Sequence, residues 1–199
     1  MGLSDLLASE AERETLAAVL RTGGLAAVPT ETFYGLAADP LNDAGVARAL
    51  STKKRGDEKP FLVLFAERED LAPLGVRARP ETLDRFFAIW PAPLTVVLPL
   101  AQPIPASLGS ATLAVRMPAH AGLRELLRAI GPVTGSSLNR TGEPPCESAD
   151  DVERLFASEI DVLVDGGRSP GGRATTLVDA TSDPPRVLRQ GAFAWPPAA

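Results

Sequence analysis

The chain has 199 residues, 45% hydrophobic and 23% charged, a length and balance that suit one globular domain with one sizeable core and exclude a disordered chain. Its net charge of −5 excludes non-specific adhesion to nucleic acid over the whole surface, so any anion site must be local. There is no apolar run long enough to span a membrane, the N-terminus MGLSDLLASEAERE lacks secretory-signal features, and the single Cys146 can form no internal disulfide, so the cytoplasm is the expected location.

Ser9 and Glu12 resemble a capping box, and Leu16, Val19 and Leu20 recur at helical spacing, which predicts a helix over Glu10 to Arg21, stopped by Gly23-Gly24. Leu25 to Val28 reads as a short buried strand, ended by Pro29 because proline has no N–H to donate to a ladder. Thr30-Glu31-Thr32 is thereby delivered to a strand's C-terminal end, where open α/β sheets collect ligands. Asn42 or Asp43 caps a helix to about Leu50, with Val46, Ala49 and Leu50 inward. The loop Lys53-Lys54-Arg55-Gly56-Asp57-Glu58-Lys59-Pro60 then places four cations just before Phe61 to Phe65, an unbroken apolar run expected to be a central strand.

Pro80 suits the first position of a helix expected to run through Trp90. Thr95 to Leu98 and Leu113 to Met117 read as strands, and Gly122 to Ile130 as a helix with Leu123, Leu126, Leu127 and Ile130 on one face. Gly135 to Gly142 is small and polar, and Ser148 caps a helix to about Ala157, with Asp150 and Asp151 near its positive end. Val162 to Val164, Thr175 to Val178 and Val187-Leu188 read as short strands between Gly/Pro turns. Strands and helices interleave without strict alternation, so the expected fold is α/β, with a mixed sheet flanked by helices and residues 1–199 as one domain.

Common catalytic signatures are missing: no Walker phosphate loop, no Gly-x-Gly-x-x-Gly, no Cys-x-x-Cys and no Gly-x-Ser-x-Gly elbow. A single histidine, His120, gives little support to a Ser-His-Asp triad or a histidine metal site, and its place near a helix start favours a structural or rim role. Cys146 has no histidine near it in sequence and reads as structural. What remains is a set of anion and hydroxyl binders, suited to phosphoryl or nucleotidyl transfer by positioning and charge neutralisation. Lys53-Lys54-Arg55 fits an anion site or a solvated helix end, and Ser136-Ser137-Leu138-Asn139 fits a site loop or a plain turn. Arg116 stands inside an apolar strand, where a charge needs a partner or a ligand. Thr175-Thr176 alone is ordinary strand composition.

Taken in order, PTETFYGLAADP, KKRGDEKPF, WPAPLTVVLP, LAVRMPAH, SSLNRTGEPPC, TTLVDA and VLRQGA resemble the YrdC-like threonylcarbamoyl-AMP synthase family, over about Glu10 to Gly191. The resemblance implies a twisted open α/β sheet with a large concave basic cavity, in the minimal single-domain form. It also implies an enzyme that condenses L-threonine, bicarbonate and ATP, with Mg²⁺, into threonylcarbamoyl-adenylate and diphosphate. A threonylcarbamoyl transferase complex then modifies tRNA with the product. By motif, the resemblance assigns Thr32, Arg116 and Thr175 to threonine, and Arg55, Lys59, Thr112, Ser137, Asn139 and Arg189 to ATP. Lys53 and Arg55 take the catalytic role of stabilising phosphate charge, and no protein-held metal is expected. A monomer is implied, with tRNA or double-stranded RNA as a further partner; the competing reading is a non-catalytic RNA-binding module of the same fold. Departures from the family pattern are Leu64 for histidine, Gly56 for proline, Lys59 for asparagine and Pro145 for serine. Leu64 removes one threonine contact, and Lys59 adds a charge at a nucleotide position.

Overall fold

Helices α1 (Leu3–Ala8) and α2 (Glu10–Arg21) meet at Ser9, whose Oγ accepts the Glu12 N–H and caps the second. Only α2 was legible as a helix, because six residues are too few for a 3.6-residue period to stand out. The computed structural model describes residues 1–53, 59–140 and 142–195. Strands β1 (Ala26–Val28) and β2 (Gly35–Ala37) lead to α3 (Asp43–Lys53), and β3 (Leu62–Leu64) to α4 (Pro80–Phe87). Next come β4 (Leu94–Pro99), β5 (Thr112–Arg116), α5 (Ala121–Ile130), β6 (Val133–Thr134) and β7 (Ser136–Ser137). The last elements are α6 (Ala149–Phe156), β8 (Val162–Leu163), β9 (Thr176–Asp179) and β10 (Arg186–Arg189). Helix α4 stops at Phe87, short of the expected Trp90, because Pro91 disfavours helical backbone in the residue before it. The Trp90 indole N–H instead donates to the Leu94 carbonyl at 2.8 Å.

The strands divide into two mixed sheets, in the orders β7-β2-β1-β8 and β10-β9-β4-β5-β3-β6. The expected α/β fold with mixed pairing and flanking helices is present. Strands buried on both faces explain the apolar runs that drew attention in the sequence. In β3 and its flanks, Phe61, Val63 and Phe65 enter the larger core, while Leu64 and Ala66 enter a second core. β1 behaves likewise, with Ala27 in the larger core and Ala26 and Val28 in the second. The second core packs Leu3, Leu6, Leu16 and Leu20 of α1 and α2 against Leu123, Leu126 and Leu127 of α5. His120 begins α5 as its cap, its Nδ1 accepting the Leu123 N–H at 3.1 Å, which is the structural role expected of it.

Between β6 and β7 the chain passes from the larger sheet to the smaller, and Thr134 ties the two at that corner. Its Oγ1 accepts the Ala38 N–H at 2.9 Å and donates to the Leu36 carbonyl at 3.0 Å, all of it buried. Thr134→Val keeps the shape and removes both bonds, leaving a buried N–H without a partner. We expect about 1–3 kcal/mol of lost stability, read as a lower urea midpoint at unchanged slope.

Candidate active site

Directly opposed residues of paired strands share a face, and so do residues two apart on one strand. Arg116 opposes Leu64, Ala114 opposes Val97, Thr95 opposes Leu177, and Leu177 opposes Arg189. Arg116, Thr112, Thr95 and Arg189 therefore lie on one face of the larger sheet, and Leu113, Val115, Val96 and Val178 enter the core from the other. Where that face meets the end of β1 and the turn before β7, a cavity of about 370 Å³ opens, within the size range of small-ligand sites.

The cavity brings together Thr32, Arg116, Ser137, Thr175 and Arg189, which the sequence had separated widely. Thr30 folds the turn after β1: its Oγ1 accepts the N–H groups of Thr32 and Phe33 at 3.1 and 3.3 Å. The Thr30 and Thr32 hydroxyls lie 3.1 Å apart, both buried. On the opposite wall the Thr175 hydroxyl is 2.8 Å from that of Thr95, and Arg189 Nη2 donates to the Thr175 carbonyl at 3.1 Å. Gly135 lets the turn before β7 lie against the sheet, since a Cβ there would stand 2.3 Å from Leu64 Cγ.

Other expected residues stand outside the lining. Lys53, at the end of α3, is buried, and its Nζ donates to the Ser137 carbonyl and to Asn139 Oδ1, which links it to the segment that lines the cavity. Asn139 Oδ1 also accepts the Ser137 hydroxyl at 2.8 Å. Thr112 is 3.0 Å from Ser110 Oγ at the start of β5, and Lys59 is exposed; neither lines the cavity. Arg55, with Lys54 and Gly56, lies outside the described residues. Ser136, in the segment that fitted either a site loop or a plain turn, lines the cavity, whereas sequence reasoning missed Thr95, which meets the site through the Thr175 hydroxyl when distant strands pair.

Arg116 is the electrostatic centre, its side chain 4% exposed. Burial pushes its guanidinium below the ordinary arginine range, and the nearby Glu31 carboxylate works in the opposite direction. Burial pushes the Cys146 thiol up to about 11, so it stays protonated, in keeping with a structural role. Among the described residues no group of three or more His, Cys, Asp or Glu is placed to hold a metal, and no helix is long and apolar enough to cross a membrane.

The chain is an α/β protein of two mixed sheets, with a cavity lined by threonine and serine residues around a buried arginine. Residues 18–191 match the Sua5/YciO/YrdC family, described as "Telomere recombination", and the chain belongs to that family. It is 38% identical to the threonylcarbamoyl-AMP synthase of Coxiella burnetii over 165 residues, 81% of this chain and 88% of that one. The crystal structure of Pyrococcus abyssi Sua5 complexed with L-threonine superposes with a TM-score of 0.83 at 35% identity. That match covers 92% of this chain and 55% of the other, so this chain spans little more than half the archaeal protein. Escherichia coli YciO shares the fold, with a TM-score of 0.79 at 21% identity over 94% of this chain and 92% of that one.

Proposed function

We propose that this chain is a threonylcarbamoyl-AMP synthase, joining L-threonine, bicarbonate and ATP into threonylcarbamoyl-adenylate and diphosphate. The observation that carries this reading is the buried Arg116 guanidinium, with an Nε that has no hydrogen-bond partner, in a cavity that also presents the Thr32 and Thr175 hydroxyls. A planar guanidinium takes a carboxylate through two parallel bonds, and hydroxyls at fixed places select a substrate that carries one. The synthase from C. burnetii and the threonine complex of P. abyssi Sua5 support the same assignment.

In this reading threonine seats its carboxylate on Arg116, with Thr32 and Thr175 beside it. Its ammonium loses a proton to solvent, the free amine combines with bicarbonate to give a carbamate and water, and the carbamate oxygen attacks the α-phosphorus of ATP while diphosphate leaves. Arg189, Lys59 and Arg55 neutralise the phosphates, and Thr112, Ser137 and Asn139 hold the nucleotide. Lys53 contributes charge and holds the Ser137–Asn139 segment in place through its bonds to the Ser137 carbonyl and Asn139 Oδ1. Mg²⁺ would enter as part of the ATP substrate and would add positive charge beside the phosphates, as suits an ion that keeps much of its own water. The mixed anhydride formed is an activated carbamoyl donor, and a transferase complex acting on tRNA would consume it.

The test is diphosphate release from ATP, Mg²⁺, bicarbonate and threonine, with each component left out in turn. Release should fall to background without threonine or without bicarbonate. Release indifferent to threonine would reject the reading, and binding of double-stranded RNA with no release would favour the RNA-binding module.

A further inference from the structure

Glu31 faces Arg116 across 3.8 Å, from Oε1 to Nη1. That separation makes an ion pair without a hydrogen bond: Arg116 Nε and both Glu31 carboxylate oxygens are buried and have no hydrogen-bond partner. The two side chains are 4% and 15% exposed. A pair so loosely joined is poor structural cement, since each ion gives up hydration and regains little from the other. Its charges are better placed to act on a third group.

The reaction proposed above, on which this inference rests, brings one zwitterion into the same cavity as several oxyanions: bicarbonate, the ATP phosphates and the departing diphosphate. A solitary buried guanidinium would hold any of them, because it offers charge and paired donors to every oxyanion. With a carboxylate 3.8 Å away the net charge of the subsite is cancelled, while the donor edge of Arg116 remains. An incoming oxyanion then meets attraction from one partner and repulsion from the other. A zwitterion seated carboxylate-first brings its ammonium into the field of Glu31 and gains from both. We propose that Glu31 is a positioning and specificity-determining residue that makes the Arg116 subsite select an amino-acid zwitterion over oxyanions. It acts through the charge of Arg116 and takes no part in bond making.

The experiment is calorimetric titration of the wild type and Glu31→Gln with L-threonine and with 3-hydroxybutyrate, which is threonine without its amino group, each with and without added diphosphate. The wild type should bind threonine at least about tenfold more tightly than 3-hydroxybutyrate, with diphosphate a poor competitor. Glu31→Gln should bring the two ligands within about threefold and make diphosphate compete with threonine. A Gln variant that keeps wild-type discrimination and indifference to diphosphate overturns the inference and leaves the synthase reading standing. Should that variant not fold, the wild type decides: tenfold preference for threonine supports the role, and equal binding of the two ligands overturns it. A wild type that binds neither compound overturns the synthase reading and this inference with it.

Discussion

Replacing Arg116 by methionine should abolish threonine-dependent diphosphate release while nucleotide binding stays near the wild-type level. Arg116 lines the cavity from a buried central strand, and its unbonded Nε marks it as a receptor rather than a brace. Truncating one member of a buried charged interaction costs about 2–5 kcal/mol, which corresponds to about 30-fold to several thousand-fold in kcat/KM for threonine. The KM for ATP should move little, because the nucleotide is assigned to other residues. Stability should fall as well, by about 3–5 kcal/mol, since Glu31 is left as a buried carboxylate without its counter-ion. The double variant Arg116→Met with Glu31→Gln separates the two effects. It should recover most of the melting temperature and none of the activity. A single variant with wild-type KM for threonine would remove Arg116 from the site.

Arg116 was legible because a charge inside an apolar strand is an anomaly wherever the strand lies, and Thr32 because Pro29 ends its strand just before it. The doubly buried strands were legible too, as runs without polar interruption. Pairings between distant segments were hidden. Lys53 at a helix end looked equally like a solvated cation, and only the folded chain turns it toward Ser137, 84 residues away. Glu31 was read as part of a polar turn, and its relation to Arg116 depends on where β1 ends relative to β5. The division into two sheets was equally out of sight, because strands buried on both faces have the same pattern in one sheet as in two. Thr134, which stitches them, looks like any strand threonine.

The tail after β10 shows how a position without chemistry of its own can govern the site. Phe193 and Trp195 pack on the larger core, with the Trp195 ring stacked on Phe86 at 5.5 Å between centroids. Between that anchor and Arg189 lies Gly191, whose N–H donates to Thr176 Oγ1 at 2.8 Å, while Ala192 N–H donates to the Ala174 carbonyl at 2.9 Å. A Cβ at Gly191 would stand 2.2 Å from the Ala174 carbonyl oxygen and 2.4 Å from the Thr175 carbonyl carbon. Both are backbone atoms, so no change of rotamer relieves the overlap and the segment must lift from β9. Gly191→Ala should therefore cost about 1–3 kcal/mol, a fall in melting temperature of roughly 2–12 °C for a chain of this length. The segment carries Arg189 and braces Thr175, both in the cavity lining, so KM should rise for ATP and for threonine together. That joint rise distinguishes it from the threonine-only effect expected at Arg116. Changed tryptophan fluorescence would report the loosened Trp195. Unaltered melting and unaltered KM values for both substrates would mean that the tail does not form the wall assigned to it.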